Sequence, residues 1–122
     1  MNTVLAIFIG GGLGSVARYG IGKFVAINYP NVFPPATLFS NILACLILVV
    51  FVVFLGENYA SGSVFRVFIM IGFCGGFSTF STFALETVQL LEQGNHLYAV
   101  SNILVSLLTC IGIIYFITKI NV

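Results

Sequence analysis

Charge is what this sequence has least of. Four Lys or Arg and three Asp or Glu make up 6% of its 122 residues, where a soluble domain carries about 25%. So few charges could not cover the surface of a soluble fold. A hydrophobic content of 60% and a mean hydropathy of +1.18 make lipid the expected solvent. The basic residues Arg18, Lys23, Arg66 and Lys119 are too scattered to form a stripe for phosphates, which excludes nucleic acid as a partner. Aspartate is absent, His96 is the single histidine, and Cys45, Cys74 and Cys110 lie far apart in apolar stretches without Cys-x-x-Cys spacing. Ser/His/Asp catalysis is thereby excluded, metal and redox centres are disfavoured, and the chain is not expected to be an enzyme. Each Cys is expected to pack as a small buried hydrophobe. A basic leader and a small-residue cleavage pattern are also missing, so the first apolar stretch is expected to stay as a helix rather than leave as a signal peptide.

What the chain does have is length in its apolar stretches. About 20 apolar residues cross the hydrocarbon core, and four stretches reach that length, about 3–27, 36–55, 64–91 and 97–120. They are separated by Asn28-Tyr29-Pro30-Asn31 with Pro34-Pro35, by Gly56-Glu57-Asn58 with Gly62-Ser63, and by Gln93-Gly94-Asn95-His96, all of which read as loops or turns. The expectation is one all-α domain over residues 1–122, a multi-pass protein of the cell membrane with four transmembrane helices. Lys and Arg in flanking loops normally set orientation. Here Arg66 and Lys119 lie toward one face, and Lys23 with Arg18 toward the other. Such a balance permits insertion both ways and an antiparallel homodimer. A four-helix bundle fills its own centre with side chains, so transport by so short a chain also implies oligomerisation.

The third stretch carries the densest chemistry, Gly72-Phe73-Cys74-Gly75-Gly76-Phe77-Ser78-Thr79-Phe80-Ser81-Thr82-Phe83-Ala84-Leu85-Glu86. Glycine weakens a helix by about 1 kcal/mol relative to Ala. In lipid, any backbone group so released must find a partner. The run therefore reads as a helix broken near the bilayer midplane, presenting carbonyls from its first half to a cation and N–H groups from its second half to an anion. Gly72-x-x-x-Gly76 also suits a close-packing face, but packing alone has no use for the hydroxyls that follow. Phe80 and Phe83 share one helix face at i,i+3 spacing, with Thr79, Thr82 and Glu86 on the adjacent face. A ring edge carries positive potential and can solvate a small anion, although two Phe at this spacing also suit plain core packing.

Ionisable groups within membrane segments are costly and usually functional. Glu86 reads either as a proton or cation ligand or, in preference, as an acceptor for Thr82 and a neighbouring helix. Arg18 suits a vestibule that gathers anions, or a side chain reaching to the headgroups. Lys23 reads as an interfacial anchor. Thr37, Asn41 and Cys45 recur every four residues in the second stretch, and Asn102, Ser106 and Thr109 form a stripe in the fourth. Such polar stripes must face protein or water.

Three motifs in order resemble the Fluc/CrcB fluoride channel family, across the whole chain. Gly11-Gly12-Leu13-Gly14-Ser15-Val16-Ala17-Arg18-Tyr19 is similar to the family's first-helix signature. Ala36-Thr37-Leu38-Phe39-Ser40-Asn41 is similar to its second-helix motif, and Gly72 through Glu86 to its third-helix run of glycines, hydroxyls and phenylalanines. The resemblance implies an antiparallel, dual-topology homodimer that exports fluoride passively through pathways at the subunit interface. By motif position, Phe80 and Phe83 line those pathways, with Asn41 and Ser81 or Thr82 as donors, Arg18 at a vestibule, and Ser106 and Thr109 extending the route. Thr37, Thr79 and Glu86 give polar support. The backbone carbonyls of Gly75 and Ser78 from both subunits would hold one structural sodium ion. Departures from the family pattern are Ser15 for the usual Ala, Ala36 and Ala44 for Gly, and Ser78 for the first Thr of its run; none removes a proposed donor or ring. The alternatives are a small multidrug-type proton-coupled exporter, for which Glu86 would be the one carboxylate at depth, and a non-transporting assembly subunit.

Overall fold

The computed structural model describes residues 2–29, 35–58 and 62–121. Four helical rods in it are long and apolar enough to cross a membrane: Thr3–Asn28, Ala36–Asn58, Val64–Glu92 and His96–Ile120. Helix α1 (Thr3–Asn28) starts at Asn2, whose Oδ1 accepts from Val4 N–H at 2.8 Å and so satisfies one of the donors a helix start leaves open. The proline-bearing loop expected next lies, from Pro30 to Pro34, outside the described residues. Helix α2 (Pro35–Val50) opens on a proline, at the position where the missing N–H costs nothing. A wide π turn over Phe51–Leu55 and a tight turn over Gly56–Asn58 carry the second rod on to Asn58.

The third span is assembled from pieces. Helix α3 (Val64–Val67) is capped by the Ser63 hydroxyl, which accepts from Arg66 N–H at 3.2 Å. Wide π turns follow over Phe68–Phe73, then helix α4 (Cys74–Phe77), then two residues of extended backbone, then helix α5 (Phe80–Glu92). Helix α5 stops where Gly94 takes φ of 78°. The Asn95 and Gly94 N–H groups then bond back to Leu90 and Leu91 carbonyls at 2.8 and 3.1 Å, the paired closure that a left-handed residue makes possible. Helix α6 (His96–Ile120) returns across the bundle.

Helix α1 packs most extensively on the first half of the third span, and α6 packs on α2 and α5. The α1 contact is made backbone to backbone at glycines. A Cβ on Gly10 would lie 2.6 Å from the Phe68 carbonyl oxygen and 3.0 Å from Phe73 N, and one on Gly76 would collide with the carbonyl of Gly11. Gly72 and Gly76 are thus a packing face, of the kind small residues provide where no hydrophobic force drives helices together. The extended residues lie just beyond that face, so packing and loss of helix occupy different positions in one run. Large apolar side chains such as Phe8, Phe24, Leu108 and Phe116 point outward, the pattern of a lipid-facing surface.

Gly76→Ala is expected to push α1 off the third span and to destabilise the fold by about 1–3 kcal/mol, the range for overpacking. Gly20→Ala, where an added Cβ would meet open space, is expected to be neutral or slightly stabilising. The check is the temperature at which each variant loses its monodisperse peak in detergent; equal temperatures for the two would contradict the tight crossing.

Candidate functional site: a splinted backbone gap between two cavities

Between α4 and α5 the backbone is extended at Ser78 (φ −81°, ψ 156°) and Thr79 (φ −151°, ψ 122°). Each flank is closed by a hydroxyl. The Ser78 N–H and Oγ both donate to the Cys74 carbonyl, at 3.0 and 2.8 Å, ending α4. Thr79 Oγ1 accepts from Thr82 N–H at 3.3 Å, beginning α5. The gap itself is held from α2 by Asn41, whose Oδ1 accepts from Thr79 N–H at 2.8 Å while its Nδ2 donates to Thr79 O at 3.3 Å. One amide side chain thus supplies both partners that Thr79 lost on leaving the helix, where an unpaired backbone group in an apolar interior would cost several kcal/mol.

On one side of the gap is a cavity of about 220 Å³ lined by Asn41, Ser78, Thr79, Phe80, Phe83 and Ser106, together with Cys45, Leu107 and Cys110. The Phe80 and Phe83 rings are tilted neighbours, 5.6 Å between centroids. Phe83 is 8% exposed and Phe80 75% exposed, so the pair runs from the core to the outer face of the chain. A buried relay fixes this wall. Ser106 Oγ donates to Asn102 Oδ1 at 3.4 Å, Asn102 Nδ2 to Thr87 Oγ1 at 3.0 Å, and Thr87 Oγ1 to the Phe83 carbonyl at 2.8 Å. The fourth-span stripe therefore divides: Asn102 and Ser106 are buried and tied to α5, while Thr109 is half-buried and outside the cavity lining.

On the other side lies a cavity of about 600 Å³ lined by Arg18, Lys23, Thr37, Ser40, Thr79, Thr82 and Glu86, with Ser15, Tyr19, Gly22 and Ala36. Arg18 turns inward, its Nε donating to the Gly76 carbonyl at 3.1 Å. Lys23 Nζ sits 5.6 Å from the centre of the Tyr19 ring. Glu86 Oε1 accepts from Thr37 Oγ1 at 2.6 Å. Thr82, expected to serve Glu86, instead accepts from Thr79 Oγ1 at 3.2 Å. Glu86 Oε2 and Ser40 Oγ are buried without a partner among the described residues, and both residues line this cavity. Ser81 is exposed, its hydroxyl 3.4 Å from that of Thr79.

Gly75 and Ser78 line a recess of about 170 Å³ with Ala44, Cys45, Leu48, Met70 and Cys74. Among the described residues no group of three or more His, Cys, Asp or Glu side chains gathers, so a cation here would depend on main-chain oxygens. Hard monovalent and alkaline-earth cations do take backbone carbonyls, and Gly75 is exposed with open space where a Cβ would stand. The donor set suits sodium.

Thr87 and Cys110 escape a reading by motif, while Ser40 falls inside the second-stretch motif without a role and Cys45 shares the Asn41 stripe. Thr87 stands one turn beyond Phe83, so helical spacing from that ring points to it.

Four membrane-capable helices with a broken span between two cavities place an interrupted helix of the kind that can meet ions inside a membrane protein. A family model described as CrcB-like protein, Camphor Resistance (CrcB), matches residues 5–117. Proteins named fluoride-specific ion channel FluC are similar over most of their length. That of Pyrococcus abyssi (strain GE5 / Orsay) is 40% identical over 115 residues, 94% of this chain and 92% of that protein. That of Coxiella burnetii (strain CbuK_Q154) is 38% identical over 110 residues, 89% of each. That of Flavobacterium psychrophilum (strain ATCC 49511 / DSM 21280 / CIP 103535 / JIP02/86) is 38% identical over 99 residues, 81% of this chain and 80% of that protein. This chain belongs to the CrcB-like family and is a multi-pass membrane protein.

Removing the splint tests the site directly. Asn41→Ala is expected to leave Thr79 unpaired and to weaken the local structure by about 1–3 kcal/mol, with Asn41→Asp, which keeps the acceptor but not the donor, in between. Hydrogen exchange of the segment from Ser78 to Phe83 reads this out; unchanged protection in the Ala variant would remove Asn41 from the role.

Proposed function

We propose that this chain is one protomer of a fluoride-selective ion channel, through which cytoplasmic fluoride leaves the cell by passive electrodiffusion along pathways at a homodimer interface. The observation that carries the reading is the cavity of about 220 Å³ in which a backbone gap, an amide, a hydroxyl and two phenyl rings meet. A pore for a small, strongly hydrated anion must replace its water while binding weakly enough to release it. The start of α5 offers N–H groups and the positive end of a helix dipole. The Phe80 and Phe83 edges add positive potential without a formal charge, so the anion is solvated without being trapped. Ser81, Thr82, Ser106 and Thr109 provide hydroxyls along the route, and Arg18 raises the anion concentration in the larger cavity that serves as vestibule. The names of the similar proteins support the choice of fluoride.

The homodimer follows from what one chain leaves open. Phe80, Ser81 and Gly75 are exposed on the single protomer, and a second copy laid over that face would enclose the rings as a pathway. Balanced basic residues favour an antiparallel pair with dual topology. In that arrangement the gap would lie near the bilayer midplane, and the Gly75 and Ser78 carbonyls of two copies would hold a structural sodium ion, which would supply a fixed positive charge there. The proton-coupled exporter alternative has less support: Glu86 lies off the ring-lined cavity, and the similar proteins are named as channels.

Vesicles loaded with fluoride and carrying the purified protein, with no proton gradient, are expected to release fluoride to an electrode. Phe80→Ile and Phe83→Ile are each expected to remain dimeric and to lower efflux on the order of tenfold or more, since loss of about 1.4 kcal/mol of anion stabilisation is a tenfold change; full efflux in both would remove the ring pair from the pathway. Exchanging sodium for a larger cation during purification is expected to lower the dimer fraction measured by light scattering, and an unchanged fraction would remove the ion from Gly75 and Ser78.

A further inference from the structure

The permeation scheme makes no use of sulfur, yet sulfur is concentrated beside it. Cys45 on α2 and Cys110 on α6 both line the ring-lined cavity of about 220 Å³. Both are free and half-buried, and the two thiols stand close enough to interact electrostatically. They belong to different helices, 65 positions apart in sequence (110 − 45), so the fold rather than a local motif creates the pair. Cys74 is buried and lines the neighbouring recess that also touches Cys45.

Two adjacent sulfurs facing a cavity are ligands for soft cations, whereas hard cations seek oxygen. With no group of three or more His, Cys, Asp or Glu side chains among the described residues, the site has two ligands, which satisfies only ions that accept linear two-coordination. Charge narrows the class further. Thiols bind metals as thiolates, and a net charge at this depth is costly. Two thiolates around a monovalent ion leave one negative charge, while two around a divalent ion leave none.

We propose that Cys45 and Cys110 form a two-thiolate site for a soft divalent cation of the mercuric type, and that filling it closes the cavity to anions. On binding, two S–H bonds break and two sulfur–metal bonds form, two protons leave to water, and no electron is transferred. The site itself is independent of what permeates; its effect on flux rests on the fluoride-channel reading.

The test uses the fully reduced full-length protein and mercuric chloride at one equivalent per chain. Wild type is expected to retain the metal against an excess of a monothiol such as mercaptoethanol, because two protein sulfurs hold it at once. Cys45→Ser and Cys110→Ser are each expected to surrender it, and Cys74→Ser to retain it, as read by bound mercury after desalting. Release from wild type as readily as from the single variants, or retention that depends on Cys74 instead, would overturn the site. In the same preparation, fluoride efflux from wild-type vesicles is expected to fall to the leak of empty vesicles and to recover with a dithiol, each variant being compared with its own untreated rate. Retained metal with unchanged efflux would confirm the thiolate site and overturn its closure of the cavity. Absence of efflux before any metal is added would contradict the channel reading and leave the retention assay to decide the site.

Discussion

Everything in this protein's central region depends on two hydrogen bonds from one side chain. Backbone released from a helix inside a membrane has no water to turn to, and each unpaired group there costs several kcal/mol. Asn41 meets that cost at Thr79 by accepting from its N–H and donating to its carbonyl. An aliphatic residue of similar size would leave both groups without these partners and weaken the extended segment. The consequence is geometric. With the gap held open, α5 begins at Phe80, its first N–H groups and the Phe80 and Phe83 rings are brought to the same cavity wall, and the Ser78 carbonyl leaves the helical ladder.

The gap also needs a fixed platform on its other flank, and the glycine crossing provides it. Gly10, Gly14, Gly72 and Gly76 let α1 and the first half of the third span approach backbone to backbone. The Arg18 guanidinium then reaches the Gly76 carbonyl at 3.1 Å, tying the end of the crossing to the start of the gap. On the opposite side the relay Ser106, Asn102, Thr87 pins α5 to α6. The extended residues are thus suspended between two packed halves, with Thr79 lining both cavities.

Much of this was legible in the chain. Low charge and four apolar stretches pointed to four spans. The glycine and hydroxyl run located the unusual segment, because neither residue type suits the interior of a lipid-facing helix. Spacing set Phe80 beside Phe83, Asn41 in line with Thr37 and Cys45, and Ser106 in line with Asn102, each on a face of its own helix, and the structure gathers Asn41, Phe80, Phe83 and Ser106 around one cavity. Other features depend on tertiary packing that spacing does not encode. Spacing points Glu86 to a neighbouring helix but does not single out Thr37, 49 positions away, as the partner there, and Thr82 pairs with Thr79 instead. Cys45 shared the Asn41 stripe and Cys110 read as an isolated packing residue, and nothing paired the two until α2 and α6 come together. Gly72 and Gly76 presented packing and interruption as alternatives, whereas the backbone separates them by position.

The central claim is that a splinted gap and two ring edges offer a fluoride ion the solvation that water gave it. The most direct measurement is a high-resolution experimental structure of the protein in lipid nanodiscs with fluoride. The expected result is extended backbone at Ser78 and Thr79, clasped by Asn41, with anion density against the edges of Phe80 and Phe83. An uninterrupted α-helix through those residues, with both rings turned toward acyl chains, would contradict it.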